Sequence, residues 1–261
     1  MERWICWSGG KDSTASIIIC WLLGMPITGI VFSEVMFSHE ENISGENPVH
    51  IDWIYNVAIP IIENVFGYKV VVLRDKSDYV QEFNHLVKGS KKHPERNGKK
   101  SGFFIGGMCA GNGRLKMRPL RKFFKERGEC EQIVGIAADE PKRLARLKKG
   151  KRSILAEQCL VEQNTYAICR EYNLLSPIYG TVNRGGCWFC PNQSLEEFAS
   201  LKINYPYLWE KLKEMSNDNM LISQNFKWGM TFANVEKCVD RHLRNSKNKQ
   251  LDLFEVIENA N

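Results

Sequence analysis

The chain has 261 residues, 43% hydrophobic and 25% charged, with 20 Gly and 9 Pro, a globular balance that excludes a disordered or collagen-like polymer. Its net charge is +6, from 36 basic against 30 acidic residues. The longest strongly apolar run, Ala15 to Met25, falls well short of the roughly 20 residues that span a bilayer, and the opening Met-Glu-Arg-Trp is unlike a signal peptide, so neither a membrane nor a secreted protein is expected.

Arg3 to Trp7 reads as a strand ending at Ser8-Gly9-Gly10. The apolar residues from Ser13 to Leu23 read as a helix stopped by Gly24, with Pro26 beyond. Ile27 to Val35 and Tyr68 to Leu73 are further β-branched runs, separated by a helical stretch from about Val49 to Val65 that Pro60 is placed to kink. A helix over Leu115 to Arg127 precedes a fourth strand, Gln132 to Ala137. Strands alternating with helices predict an α/β fold with a doubly wound, mostly parallel sheet and ligands beyond the carboxyl ends of its strands. Past residue 150 no strong strand is read. The expected division is therefore a nucleotide-binding domain over 1–150, a smaller helical, cysteine-containing part over 151–245, and a frayed tail over 246–261.

Ser8-Gly9-Gly10-Lys11-Asp12-Ser13-Thr14 lies between the first strand and the first helix. Backbone N–H groups and the helix dipole make such a turn an anion site. Two glycines admit close approach, Lys11 adds a positive charge, and Ser8, Ser13 and Thr14 carry hydroxyl donors. The turn matches neither the Walker A nor the dinucleotide fingerprint; the plain alternative is a βα turn capped by Asp12 or Ser13.

SGGKDS in this position resembles the pyrophosphate loop of the N-type ATP pyrophosphatases, a superfamily that includes tRNA thiolation enzymes, GMP synthetase and the phosphoadenosine phosphosulfate reductases. Two more segments resemble that superfamily. One runs from Cys109 through Lys116 to Pro119; the other is Asp139-Glu140-Pro141-Lys142-Arg143, whose arginine would face the anionic end of a nucleotide. The order of GGCWFCP (Gly185 to Pro191), helix, Tyr205-Pro206 and Leu208-Trp209 is similar to a phosphoadenosine phosphosulfate reductase-like branch. The likeness extends over about residues 1 to 230. It implies an adenine nucleotide, ATP with Mg²⁺ in the main reading, held by Ser8, Gly9, Gly10, Lys11, Asp12, Ser13 and Thr14, with Phe32 and Ser33 flanking adenine and Lys116, Asp139 and Arg143 lining the site. Lys11 would neutralise the leaving phosphate, Asp12 would position Mg²⁺ or brace the loop, and Arg143 would complete the catalytic set.

Nine cysteines without an export signal favour reduced thiols or a metal site over disulfides and point to the cytoplasm. Cys187-x-x-Cys190 exposes thiolates beside two glycines, a geometry suited to a metal or cluster. By resemblance Cys109 joins the pair, giving three ligands to a 4Fe–4S cluster with an open fourth position; a structural zinc is the alternative. Cys6, Cys20 and Cys169 sit in apolar stretches and read as core. Phe198, Leu201, Leu208, Trp209 and Leu212 read as a packing face.

Lys88 to Lys100, Arg114 to Arg127 and Lys142 to Arg152 hold 20 of the 36 basic residues. Set around a strand-end cleft they would form an electrostatic funnel, and a tRNA or DNA acceptor would use them. Three functional readings follow. ATP-dependent adenylyl transfer with pyrophosphate release, coupled to sulfur insertion into a nucleic acid or small molecule, fits most features. A true sulfonucleotide reductase is weakened because Glu236-Lys237-Cys238-Val239 departs from its Glu-Cys-Gly element. The third is a nucleotide-binding regulatory module without turnover. A homodimer is compatible with all three, and none involves a membrane.

Overall fold

Along β1 (Glu2–Trp7) successive side chains alternate between two apolar layers, with Ile5 and Trp7 in one and Trp4 and Cys6 in the other. A computed structural model describes residues 1–105, 109–180 and 185–258, with side chains as far as Ser246. In chain order β1 is followed by α1 (Lys11–Leu22), β2 (Gly29–Glu34), β3 (Met36–Ser38), β4 (Ile43–Ser44), α2 (Pro48–Trp53), α3 (Ile59–Asn64), β5 (Val70–Arg74) and α4 (Tyr79–Asn84). Then come α5 (Met117–Arg127), β6 (Cys130–Val134), α6 (Pro141–Leu144), β7 (Lys151–Arg152), α7 (Ile154–Glu157) and α8 (Glu162–Glu171). The last elements are α9 (Leu195–Asn204), α10 (Pro206–Ser216), β8 (Asn225–Lys227), β9 (Met230–Thr231) and α11 (Phe232–Glu258).

By contacts the chain forms two units, the first Met1–Tyr79 with Gly111–Cys187 and the second Val80–Ala110 with Trp188–Asn261. This differs from the division at residue 150 read along the sequence. Residues 151–187 join the first unit because α7 and α8 cover α1, burying Ile154, Leu155, Cys169 and Leu174 in its core. Residues 80–110 leave it because Phe83 and Phe103 pack with Phe226 in the second. Helix α11 continues to Glu258, through most of the segment read as a frayed tail; residues 259–261 lie outside the described ones.

The first unit is an α/β fold with five parallel strands in the order β5-β2-β1-β6-β7. One face carries α1, α2, α3, α7 and α8 over Ile5, Trp7, Ile30 and Phe32; α5 covers the other over Trp4 and Val31. The sheet is doubly wound, as expected, and β7 is a two-residue strand too short and basic to be read in advance. Three consecutive isoleucines are indifferent helix formers, but Ile17 and Ile18 are fully buried, so packing rather than propensity secures α1. It ends in a Schellman motif, with Met25 N–H donating to Cys20 O (2.9 Å), Gly24 N–H to Trp21 O (3.0 Å), and Gly24 at φ +60°. At Pro60 the helix passes through a π-turn over Ile54–Ala58, which accommodates the missing N–H.

In the second unit α9 starts with a Ser194–Glu197 capping box and yields to α10 at Tyr205-Pro206. Its core is aromatic: Phe198, Trp209, Phe226 and Phe232 pack ring on ring. All five residues of the expected packing face are buried.

Candidate functional site

Connections from β1 run outward through β2 and β5, then return to β6 on the other side of β1. The direction of winding reverses between β1 and β6, where a parallel sheet opens its ligand crevice. Two glycine-bearing turns meet there. Gly9 has φ +74°, and a β-carbon on it would lie 2.6 Å from the His50 ring and 2.8 Å from Ile54 Cδ1. Gly135, just past β6, allows the first turn of α1 to rest on the strand end, since a β-carbon there would lie 2.4 Å from the Ser13 nitrogen. Only glycine fits either position.

The turn delivers the start of α1 with Gly10 as N-cap and no side-chain cap from that residue. The Lys11 N–H donates instead to the Tyr179 hydroxyl at 3.0 Å, and neither Asp12 nor Ser13 serves as the cap residue. Ser13 Oγ donates to Gly10 O (2.9 Å) and accepts from Ser8 N–H (3.2 Å), closing the loop on itself. His50 underlies it, with Nδ1 2.8 Å from Ser176 Oγ and Nε2 3.3 Å from Ser8 O. Burial is the main influence on that imidazole and holds its pKa below the usual histidine value.

Lys11 is the central charge. Its Nζ lies 2.9 Å from Asp12 Oδ1 and 2.8 Å from Glu162 Oε1, and 5.1 Å from the Tyr166 ring centre. Burial works against the ammonium, but hydrogen bonds to Glu162 and Asp12 outweigh it and raise the pKa above the ordinary lysine value. Asp12 also accepts from Thr165 Oγ1 (2.9 Å), which makes it a brace of the loop. Asp139 accepts the Glu162 N–H at 3.1 Å, tying the turn after β6 to the start of α8.

Other residues singled out in the sequence are placed differently. Thr14 is fully buried and accepts from Trp7 Nε1 (2.9 Å), so its hydroxyl serves the core. Phe32 is also fully buried, its ring centre 5.6 Å from that of Trp7. Ser33 donates to Lys116 O (2.9 Å), while Lys116 Nζ approaches the buried Glu46 (3.4 Å). Arg143 is half-exposed and paired with Glu140 one turn away.

The basic stretches of this unit are partly spent internally. Arg118 Nε donates to the buried Asp75 at 2.7 Å, and Arg152 pairs with Glu157 and Glu131. Arg127 stacks 3.5 Å from the Phe123 ring centre and pairs with Glu2 at the start of β1. It therefore stands at the amino end of the strand, opposite the funnel expected from the sequence.

Cys6, Cys20 and Cys169 are core thiols, as read, and burial pushes their pKa values up to about 11, about 12 and about 12. Cys109 is exposed, and Cys187 and Cys190 are half-buried. Glu46 above all, with Cys187 adding to it, raises the Lys116 pKa against the opposing effect of burial. Among the described residues no group of three or more His, Cys, Asp or Glu side chains is gathered to hold a metal. Cys238 lies within α11, and Glu236 beside it is paired with Lys202 and Lys213.

His50, Glu162, Thr165 and Tyr179 were not assigned to the loop from the sequence. They lie 42 to 168 positions from their partners in it, and no local pattern marks such pairs. Gly135 had a signal, an isolated glycine in an apolar run. Among the described residues no helix is long and apolar enough to cross a membrane.

No family profile matches the chain. An uncharacterized protein of Methanocaldococcus jannaschii is 25% identical over 222 residues. That alignment takes in 79% of this chain, which spans 40% of the length of the relative. The solved structure of the U34-tRNA thiolase NcsA from Methanococcus maripaludis, with its 4Fe–4S cluster, superposes with a TM-score of 0.39 and 15% identity over 84% of this chain and 73% of that one.

Proposed function

We propose that this chain is an enzyme of the ATP pyrophosphatase kind, which binds an adenine nucleotide at the Ser8–Thr14 turn. In the reading favoured here it transfers the adenylyl group of ATP to an oxygen of an acceptor, a nucleic acid or a small molecule, and prepares that position for sulfur insertion. The observation that carries the proposal is the turn itself: a positive-φ glycine and a helix start without a cap from its N-cap residue, set at the winding reversal against Gly135. Backbone N–H groups so placed favour an anion, and the site is closely packed around the turn.

In this reaction the acceptor oxygen attacks the α-phosphorus, the bond from that phosphorus to the bridging oxygen breaks, and pyrophosphate leaves with the bond electrons. A hydrosulfide then adds at the activated carbon and AMP departs, without net oxidation. The loop N–H groups hold the departing pyrophosphate, and Lys11 neutralises its growing charge. For that, Lys11 must exchange a carboxylate partner for phosphate. Glu162 is the partner able to yield, its side chain being 59% exposed against 23% for Asp12. Arg143 would supply a second cation after releasing Glu140. Cys109, Cys187 and Cys190 would be the ligands of an iron–sulfur cluster or a zinc ion.

The test is pyrophosphate release from ATP, with and without a tRNA or DNA fraction. Lys11→Ala should abolish release with little change in thermal stability, because its partners are partly solvated. Unchanged release in that variant, or no calorimetric uptake of ATP by the intact protein, refutes the assignment. For the thiols, anaerobically purified protein is expected to bind iron or zinc and Cys187→Ser to lose it; equal metal content in both removes Cys187 from the ligand set.

A further inference from the structure

The second unit carries a feature that the nucleotide turn does not explain. Leu86 and Lys100 bridge antiparallel, Lys100 bridges to Leu221, and the Lys100 ammonium is paired with Asp218. These ties hold the basic loop between them against the segment leading into the β8–β9 hairpin. At the hairpin tip Lys227-Trp228-Gly229 turns through Gly229 at φ +70°, and the Trp228 side chain is left 81% exposed. Beside it is a cavity of about 520 Å³ lined by Trp228, Phe103 and Ile222 together with Arg96, Ser101 and Asn225.

Three properties of this surface select one occupant. An indole displayed on a tight turn offers a flat π-face, and stacking of a nucleic acid base on such a face tolerates any sequence. The cavity mixes aromatic and aliphatic walls with hydroxyl, amide and guanidinium groups, which suits the polar edge of a heterocycle. Lys88, Lys91, Lys92, Arg96 and Lys99 are all exposed on the same loop, and Glu95 is its one acidic residue between Lys88 and Lys100. A duplex keeps its bases stacked on one another, so a single strand is what can use both the indole and the cations. A bilayer would favour a broad apolar face over a concave, polar-lined one.

We propose that the Trp228 hairpin and the Lys88–Lys100 loop form a binding surface for single-stranded nucleic acid, with a base stacked on Trp228 and phosphates along the loop. The inference does not rest on the nucleotide reading of the Ser8–Thr14 turn, and Lys11→Ala should leave it intact.

The test is binding of fluorescein-labelled dT12 and U12 to the full chain across a salt series, followed by anisotropy and by tryptophan quenching. Wild-type protein should bind both, more weakly as salt rises. Trp228→Ala should weaken binding roughly tenfold at an unchanged melting temperature, since the side chain is exposed. Combined Lys91→Ala, Lys92→Ala and Lys99→Ala should lower the salt slope by about two, at roughly 0.7 per phosphate contact. The proposal is overturned if Trp228→Ala binds dT12 as tightly as wild type, if inorganic polyphosphate of equal charge binds as well as dT12, or if phosphatidylserine vesicles or an acidic peptide bind the chain and dT12 does not.

Discussion

The sheet of the first unit and the basic loop of the second use charge in opposite ways. Around the sheet of the first, charged groups are drawn inward and matched: Lys11 with Asp12 and Glu162, the buried Glu34 with Arg74 and Tyr55, Asp75 with Arg118, Glu46 with Lys116. In the second, the loop from Lys88 to Lys100 leaves most of its cations at the surface beside an exposed indole. Buried charges must be paired because desolvation is costly, so their geometry is set by the fold. Surface cations bear no such constraint and remain available to a partner. A basic stretch therefore says little until the partners of its cations are known; in Arg114–Arg127 Lys116 and Arg118 reach the buried Glu46 and Asp75, while Arg121, Lys122 and Lys125 stay exposed like the cations of Lys88–Lys100.

That contrast can be broken in several places. The largest effect is expected at Gly135, where a β-carbon would meet the backbone of Asp12 and Ser13. Gly135→Ala should cost about 3 kcal/mol and remove ATP uptake, measured by denaturant unfolding and calorimetry; full retention of both would show that the strand end does not seat the loop. Alkylation by iodoacetamide at pH 8 should then sort the thiols by unit architecture. Buried Cys20 and Cys169, held at about 12, and half-buried Cys6, held at about 11, should react on the order of a hundredfold more slowly than exposed Cys159 in native protein, as read by mass spectrometry. Comparable rates would contradict the packing of α1 against α8.

A smaller change sharpens the role of Lys11. Glu162→Gln removes a competing carboxylate and should tighten ATP binding a few-fold, the scale of a partly exposed ion pair; weaker binding would mean that Glu162 helps to hold the ligand. The smallest effect concerns His50. Its folded-state pKa lies below the ordinary value, so the unfolded chain takes up the proton first as pH falls. Its contribution to stability is complete above about pH 6.5 and is lost progressively below it. Melting temperature should fall between pH 7.5 and 5.5 more in wild type than in His50→Gln, and parallel curves would remove His50 from the support of the turn.

Much of this architecture is legible in one dimension. Strand runs, the Gly24 stop, the Pro60 irregularity and the Tyr205-Pro206 break all appear where local chemistry puts them, because period, proline and glycine act over a few residues. Short β7 was missed because its pairing partner, not its own composition, makes it a strand. Phe32 and Thr14, read toward a ligand, lie in the core, since β2 is buried along its whole length and α1 without a break from Ser13 to Ile18, which only the tertiary packing sets. The division by contacts departs from a boundary at residue 150 because α8 returns to α1 through contacts that no composition change announces.

By itself the sequence determined that β1 ends in a glycine turn leading into a helix, because two glycines and a following apolar period suffice for that locally. Tertiary structure alone decided that this turn stands at the winding reversal, that Gly135 and His50 support it, that Lys11 is held by Glu162, and that Trp228 is left in solvent. Each of these is a relation between residues far apart in the chain, and only packing, which matches volumes and charges irrespective of sequence distance, brings them together.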